Sequence, residues 1–313
     1  MDLAIVIVSY NVHELTRACL QSVYAALRHS GLEGQVWVVD NASADGSAAM
    51  VATEFPQATL CALADNRGYA AGANEALRQL MIAEQAPRYV LVLNPDTVLA
   101  PDALGQLVSF MQKHPQVGLA GAQLAYADGS FQHGAFHFPT LLMLFLDFWP
   151  LHHRLLDSPL NGRYPRRRYD RGEPFPIDHP LGAAMLIRHE TLADVGLLDE
   201  SYFMYCEEID YCLRVRRAGW AIYLVPAARI THYAGQSTRQ FREQMFLALW
   251  RSRLLLFDRY YSRVYRWLAR RIIAAGMHSL RRATEREVAQ GTLSAREAAP
   301  RLDAYRQVLE WCA

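Results

Sequence analysis

Four carboxylates and one imidazole stand where they could do chemistry. Asp96 follows the apolar run Tyr89-Val-Leu-Val-Leu93 and the pair Asn94-Pro95. That run is too short for a helix and reads as a buried strand. Pro95 cannot donate to a ladder and pushes its predecessor out of the α region, so the strand stops at Asn94. The Asp96 carboxylate is thereby left at the C-terminal edge of a strand, where open α/β sheets bind ligands. It is a hard oxygen donor of the kind that, together with substrate phosphates, holds Mg2+ or Mn2+. Asn-Pro-Asp-Thr is also ordinary turn composition, so Asp96 gains weight only in company.

The company comes from the second acidic stretch, Phe203-Met-Tyr-Cys-Glu207-Glu208-Ile-Asp210. Ile209, Cys212 and Leu213 fall at helical spacing and Gly219 reads as the helix stop. Acids at the start and Arg214, Arg216 and Arg217 at the end complement a helix dipole, which accounts for the charges without any catalysis. It does not account for Phe203, Met204 and Tyr205 leading straight into adjacent carboxylates. Acids in partly apolar surroundings have raised pKa values and can serve as a general base. Glu207, Glu208 and Asp210 compete for that role. His232 follows the β-rich Arg229–Thr231; a lone histidine is usually structural, and as a ligand it favours Mn2+ over Mg2+.

The elements that must position these groups alternate. Leu3–Val8, Gln35–Val39, Thr59–Ala62, the run at Tyr89 and Val117–Ala122 read as strands, with helices over His13–Leu27, Gly46–Glu54, Ala70–Ala83 and Pro101–Lys113. This rhythm predicts an α/β fold with a mostly parallel central sheet flanked by helices. Strand-end loops Ser9-Tyr10-Asn11, Asp40-Asn41-Ala42-Ser43 and Asn94-Pro95-Asp96 then share one edge, with Asn66–Asn74 entering a helix beside them. Tyr10 could stack on a base, and Asp40 could accept a hydrogen bond from a pyrimidine or ribose; each is ordinary loop chemistry when taken singly. Tyr126–Ile177 breaks the rhythm: Leu141–Leu151 is apolar but too short to span a membrane, and Arg163–Arg171 reads as a basic, aromatic, mobile loop. Pro180–Arg188 returns to strand composition, His189–Val195 is a short helix, and Ala221–Val225 and Arg229–Thr231 read as two closing strands.

Composition narrows the function further. The 313 residues, 52% hydrophobic, suit one large α/β domain with an appendage, or two small domains. A net charge of +1 argues against a nucleic-acid binder. Five cysteines without a CxxC spacing fit free thiols in a reducing compartment such as the cytoplasm. Leu3–Val8 lacks the flanks of a signal peptide and reads as a first strand. A glycine-rich dinucleotide fingerprint and a P-loop are both missing from the sequence, which argues against a dehydrogenase and a P-loop NTPase.

Taken in order, the motifs resemble those of family 2 inverting glycosyltransferases of the GT-A fold, and in particular the bacterial rhamnosyltransferase-like branch. The matching stretches are Ile5–Asn11, Val38–Ser43, Asn66–Asn74, Leu93–Thr97, Gly182–Arg188, Phe203–Arg214 and His232. The resemblance implies a GT-A domain over residues 1–237 and a basic α-helical region over 238–313. It implies that Ser9, Tyr10, Asn11, Asp40, Asn66, Arg67, Gly68, Asn74 and Asn94 hold the nucleotide. Asp96 would be the metal ligand and His232 a second contact to Mn2+ or Mg2+. Glu208 stands where the family usually has the aspartate that acts as base, one methylene longer, with Glu207 and Asp210 still in competition. The implied substrates are a dTDP- or UDP-linked sugar and a glycan or polyprenyl-diphosphate-linked acceptor. A nucleotidyltransferase or a non-catalytic nucleotide-binding scaffold is the alternative; the first lacks its phosphate loop near Ser9–Leu15.

The last quarter is set apart by charge. From Gln236 onward fifteen arginines face seven acids, an excess of eight that leaves the remainder at −7 against the total of +1. Gln240–Tyr260 reads as a helix, and Tyr261–Met277 mixes Val264, Trp267, Ile272 and Ile273 with arginines. That pattern suits an amphipathic helix lying on an anionic membrane, and equally one packed on this chain or on a second copy in a homodimer. Ser279–Ala313 reads as one or two further helices.

Overall fold

The computed structural model describes residues 1–233 and 241–313. β1 (Leu3–Ser9), β2 (Gly34–Asp40), β3 (Thr59–Ala62) and β4 (Tyr89–Leu93) are linked by α1 (His13–Ser30), α2 (Ser47–Glu54) and α3 (Tyr69–Met81). β5 (Thr97–Leu99), α4 (Ala103–Lys113) and β6 (Val117–Ala125) follow. Short pieces come next: β7 (Phe131–Gln132), β8 (Ala135–Phe136), α5 (Leu141–Phe148), α6 (His153–Leu156), α7 (Arg166–Asp170), β9 (Phe175–Pro176) and β10 (His179–Pro180). β11 (Ala184–Arg188), α8 (His189–Val195), α9 (Glu207–Arg217) and β12 (Ala221–His232) resume the longer elements, and α10 (Arg242–Tyr260), α11 (Arg263–Ala289) and α12 (Ala295–Cys312) end the chain.

The sheet runs β3-β2-β1-β4-β11-β6-β12-β5. β1 is parallel to β2 and β4, and β6 to β12, whereas β11 lies antiparallel between β4 and β6. All seven residues of β1 are buried, as expected of a strand covered on both faces. Leu3, Ile5 and Ile7 pack in one cluster with Cys19, Leu20, Val23 and Leu27 of α1 and with Leu104, Leu107 and Val108 of α4.

One irregularity shapes the site. The two closing strands expected from the sequence are a single strand, β12, whose register with β6 slips between Val225 and Arg229. Pro226 sits inside that slip; it has no N–H to give the ladder and is tolerated at a bulge. Beyond the bulge β12 also pairs with β5, which sets His232 opposite Thr97. β5 itself, three residues long, has too short a pattern to be read from sequence.

The described residues form two compact units. The first holds Met1–Phe138, Tyr164–Phe203 and the chain from Glu207 through β12. In it the basic stretch expected to be a mobile loop forms α7 instead. Tyr169 is buried there, its hydroxyl accepting the Ala135 N–H at 3.1 Å, and Arg166 lies 5.1 Å over the Phe131 ring. The second unit joins Pro139–Arg163 and Met204–Cys206 to the C-terminal helices. Leu144 of α5 packs there with Trp250, Leu254, Phe257, Ile273, Met277 and Val308. α11 needs glycine at Gly276, because a Cβ there would stand 2.3 Å from the Phe148 ring. The boundary expected at 237/238 and the helix start expected at Gln240 lie outside the described residues.

Candidate active site

Parallel strands put the ends of β1, β2, β4 and β12 at one edge. The Asp96 loop is fixed there by its backbone. Asn94 N–H donates to Ala183 O at 2.9 Å, Tyr233 N–H donates to Asp96 O at 2.9 Å, and Asn94 O accepts from Thr97 Oγ1 at 2.7 Å. The Asp96 and His232 side chains are both buried, and His232 Nε2 lies 3.4 Å from Asp96 Oδ1.

The other imidazole nitrogen, Nδ1, lies 3.3 Å from Gln132 Oε1. An amide oxygen only accepts, so Nδ1 is the donor in that contact and Nε2 is the nitrogen turned toward Asp96. Two ligands each about 2.1 Å from an octahedral ion, on adjacent positions, are about 3 Å apart. The pair therefore fits one divalent ion. Among the described residues no group of three His, Cys, Asp or Glu side chains could hold a metal, so phosphate and water would have to complete its shell.

The acids of α9 arrive by a different route. Gly68 has φ +86, and a Cβ on it would stand 2.3 Å from Phe203 O. The next N–H, that of Tyr69, donates to the same oxygen at 2.8 Å. Tyr205 and Cys206 then both take left-handed backbone, at φ 68 and 66. Such conformations cost about 1–3 kcal/mol each in a non-glycine residue and gather at functional sites. They aim the first turn of α9.

Within that turn the environments differ. Asp210 is 1% exposed and accepts from Arg214 Nε at 2.8 Å, so its charge is engaged inside its own helix. Glu207 is buried, and burial, reinforced by the charge of Glu208, pushes its carboxyl well above the usual range. Glu208 is half-buried and lies along Gly182, where a Cβ would come within 3.3 Å of its Cγ. The Tyr69 hydroxyl ties the acids to the Asp96 side of the site. Burial raises it first, and then the carboxylates of Glu207, Asp96 and Glu208. Asp96, His232 and the adjacent glutamates thus come together around one region.

The residues expected around the nucleotide divide into two groups. Asp40 is 3% exposed; its Oδ2 accepts the Ser43 N–H at 2.9 Å, while Oδ1 has no partner. Asp40 and Tyr10 remain at the edge as ligand-facing candidates. Asn11, at φ 52, joins loops: its N–H donates to Ser43 Oγ and its Oδ1 accepts the Ala44 N–H. The others have partners within the protein. The Ser9 hydroxyl is taken by Thr16 Oγ1 at 2.8 Å. Asn66 Oδ1 accepts from Asn41 Nδ2 and the Gly68 N–H. Arg67 pairs with Glu75 and Glu200. Asn74, buried, gives its amide to Leu198 O and Glu200 Oε1 and accepts the Leu198 N–H. Sequence pattern marks a polar side chain without saying whether protein or ligand satisfies it.

Comparison with known proteins bears directly on this arrangement. The family described as "Glycosyltransferase like family 2" matches residues 2–247. The chain belongs to glycosyltransferase family 2. Relatives of this glycosyltransferase include the N-acetylglucosaminyl-diphospho-decaprenol L-rhamnosyltransferase of Mycobacterium tuberculosis, 29% identical over 273 residues, 81% of this chain and 87% of the relative. The rhamnosyltransferase WbbL of Escherichia coli is 41% identical over 70 residues, 22% of this chain and 26% of that protein. In fold it resembles the mannosyltransferase PcManGT of Pyrobaculum calidifontis, solved with GDP-Man and Mn2+. The TM-score is 0.56 at 16% identity, covering 99% of this chain and 83% of that one. The enzyme has the GT-A fold, a mixed α/β architecture with a mostly parallel central sheet.

Four residues of this glycosyltransferase escaped the sequence reading. Gln132 orients His232 from a two-residue strand with no periodicity to flag it. Tyr69 hides inside the Asn66–Asn74 motif as an apparent core aromatic. Asn41 clamps its own loop to residues 66–68: its Nδ2 donates to Asn66 Oδ1 and Gly68 O, and its Oδ1 accepts the Arg67 N–H. Gly182, at φ +61, leaves room for Glu208. Its place in the Gly182–Arg188 motif was the signal available.

Proposed function

We propose that this glycosyltransferase is an inverting hexosyltransferase of cell-surface polysaccharide synthesis. It moves a sugar, rhamnose foremost, from a thymidine or uridine diphosphate carrier to a hydroxyl of a glycan or polyprenyl-diphosphate-linked acceptor. The observation that carries this reading is the 3.4 Å approach of His232 to Asp96, beside the glutamates that open α9. The similarity to a rhamnosyltransferase whose name specifies a diphospho-decaprenol acceptor supports the choice of sugar and acceptor.

Asp96 and His232 would hold Mn2+ or Mg2+, which would supply positive charge to the leaving diphosphate. Asp40 Oδ1 accepts a hydrogen bond from the base or ribose, and Tyr10 stacks on the base. Glu208 takes the proton of the acceptor hydroxyl. The acceptor oxygen attacks the anomeric carbon from the face opposite the nucleotide, the bond to the diphosphate breaks, and the configuration inverts. The α9 N-terminus favours the charge on Glu208 before the proton arrives. Arg166, Arg167 and Arg168, exposed on α7, offer positive charge to an acceptor diphosphate. Residues 1–237 form the catalytic region in this reading, and 238–313 a basic region that docks on the inner face of an anionic membrane.

A thermal-shift panel of nucleotide sugars, with and without Mn2+ or Mg2+, tests the reading on purified protein. One donor class is expected to stabilise strongly only with metal, and to be hydrolysed slowly in the absence of acceptor. Stabilisation by nucleoside triphosphates with release of diphosphate would favour a nucleotidyltransferase. No stabilisation and no turnover with any nucleotide sugar would sink the proposal.

A further inference from the structure

Two buried polar groups in the site lack a partner. Glu207 is 7% exposed and its Oε2 makes no hydrogen bond; the Tyr69 hydroxyl is buried and makes none either. They sit on elements tied together by the Tyr69 N–H bond to Phe203 O, after which the left-handed Tyr205 and Cys206 deliver Glu207. No ion pair reaches Glu207 among the described residues. Arg214, on the same helix, is turned onto Asp210 and onto Val195 O at 3.0 Å. The groups that face Glu207 are Glu208 on α9 and Tyr69 on α3, with Asp96 beyond the Tyr69 hydroxyl. A buried carboxyl with only neutral or negative neighbours takes up a proton.

We propose that Glu207 works as a neutral carboxylic acid, bridged to the Tyr69 hydroxyl through one water. This uncharged pair positions the first turn of α9 so that Glu208 carries the catalytic charge alone. Two ionised glutamates side by side would each resist ionisation; protonating the buried one frees its neighbour to be the base. Glu207 and Tyr69 are positioning residues here, and the proposal rests on the assignment of Glu208 as base.

The test has one arm that needs no activity. An acid that is neutral in the fold and ionised when unfolded makes the folded state bind one proton more. Stability therefore falls as pH rises from the unfolded value toward the folded one. Relative to Glu207→Gln, wild type should lose about ten-fold in its folded-to-unfolded ratio per pH unit across that window. Parallel pH–stability curves for the two proteins would overturn the proposal. Should Glu207→Gln fail to fold, wild type supplies a second readout: a carboxylic-acid carbonyl band in the infrared that persists at pH 7 and moves in Tyr69→Phe. No such band, or one that Tyr69→Phe leaves in place, would also overturn it.

The activity arm asks for a split that mere packing would not give. Glu207→Ala and Tyr69→Phe should each lower kcat about ten-fold or more with the donor KM unchanged, and Glu207→Gln should recover most of the Glu207→Ala loss. Failure of Glu207→Gln to recover it would count against a neutral role. If Glu208→Gln proved fully active, the base assignment would fall, while the stability curves would still decide the state of Glu207.

Discussion

Glu208 and Asp210 lie two residues apart on one helix, yet their surroundings differ: Glu208 is half-buried and Asp210 is 1% exposed. Asp210 is committed to Arg214 at 2.8 Å, and removing either partner of a buried pair leaves an uncompensated charge. Asp210→Asn should therefore act chiefly on stability. Glu208→Gln should act on turnover: base catalysis contributes about 10²–10⁴-fold, so kcat should fall by that order while donor binding, read by thermal shift, survives. Asp96→Asn should do the reverse. In the proposed metal site, removing the carboxylate would leave His232 as the one protein ligand. Mn2+ should then no longer strengthen nucleoside diphosphate binding. Equal metal dependence in Asp96→Asn, followed by isothermal titration with and without chelator, would remove Asp96 from the metal site.

Elements explain why these side chains meet, and two glycines measure it. Gly31 caps α1 at φ +64 with nothing within 4 Å of a would-be Cβ, whereas Gly68 at φ +86 would push its Cβ to 2.3 Å from Phe203 O. Both alanine variants bear backbone strain, of about 1 kcal/mol or more. Only Gly68→Ala also displaces the segment that leads into Glu207. In urea, Gly31→Ala should lose little beyond the strain and keep its activity, while Gly68→Ala should lose markedly more stability together with most of its turnover. Similar turnover in the two would mean the Phe203 contact does not position α9. Much of this was legible beforehand: apolar runs ending in Asn-Pro-Asp and Asp-Asn-Ala-Ser marked strand ends, and acids after Phe-Met-Tyr-Cys marked a helix start. What stayed hidden depends on tertiary partners. The sequence does not show that Ser9 bonds to Thr16 or Asn74 to Leu198, and Gln132 acquires meaning only once the Pro226 bulge brings His232 to Asp96.

At the scale of the whole molecule, the C-terminal helices carry the surplus positive charge, and their own geometry says which face can use it. α11 has seven arginines against two glutamates. Arg270 is held by Asp258 of α10 at 2.8 Å, and Ile273 and Met277 are buried in the core of their unit. Another stripe of the same helix has no apolar cover: Val264 is 68% and Trp267 57% exposed, with Arg263 and Arg271 exposed beside them and Arg271 lying 5.6 Å over the Trp267 ring. No helix among the described residues is long and apolar enough to cross a membrane, but a tryptophan flanked by arginines is suited to an anionic lipid interface. Each arginine near such a surface contributes about 1 kcal/mol, screened by salt. The full-length protein should co-sediment with vesicles containing anionic lipid, less so as salt rises, and not with neutral ones. Val264→Glu combined with Trp267→Glu should abolish that binding without lowering Tm, since neither side chain supports the fold. Binding that survives the double substitution would move the docking face elsewhere. Loss of a dimer in sedimentation velocity, with no vesicle binding in either protein, would assign the stripe to a second copy of the chain.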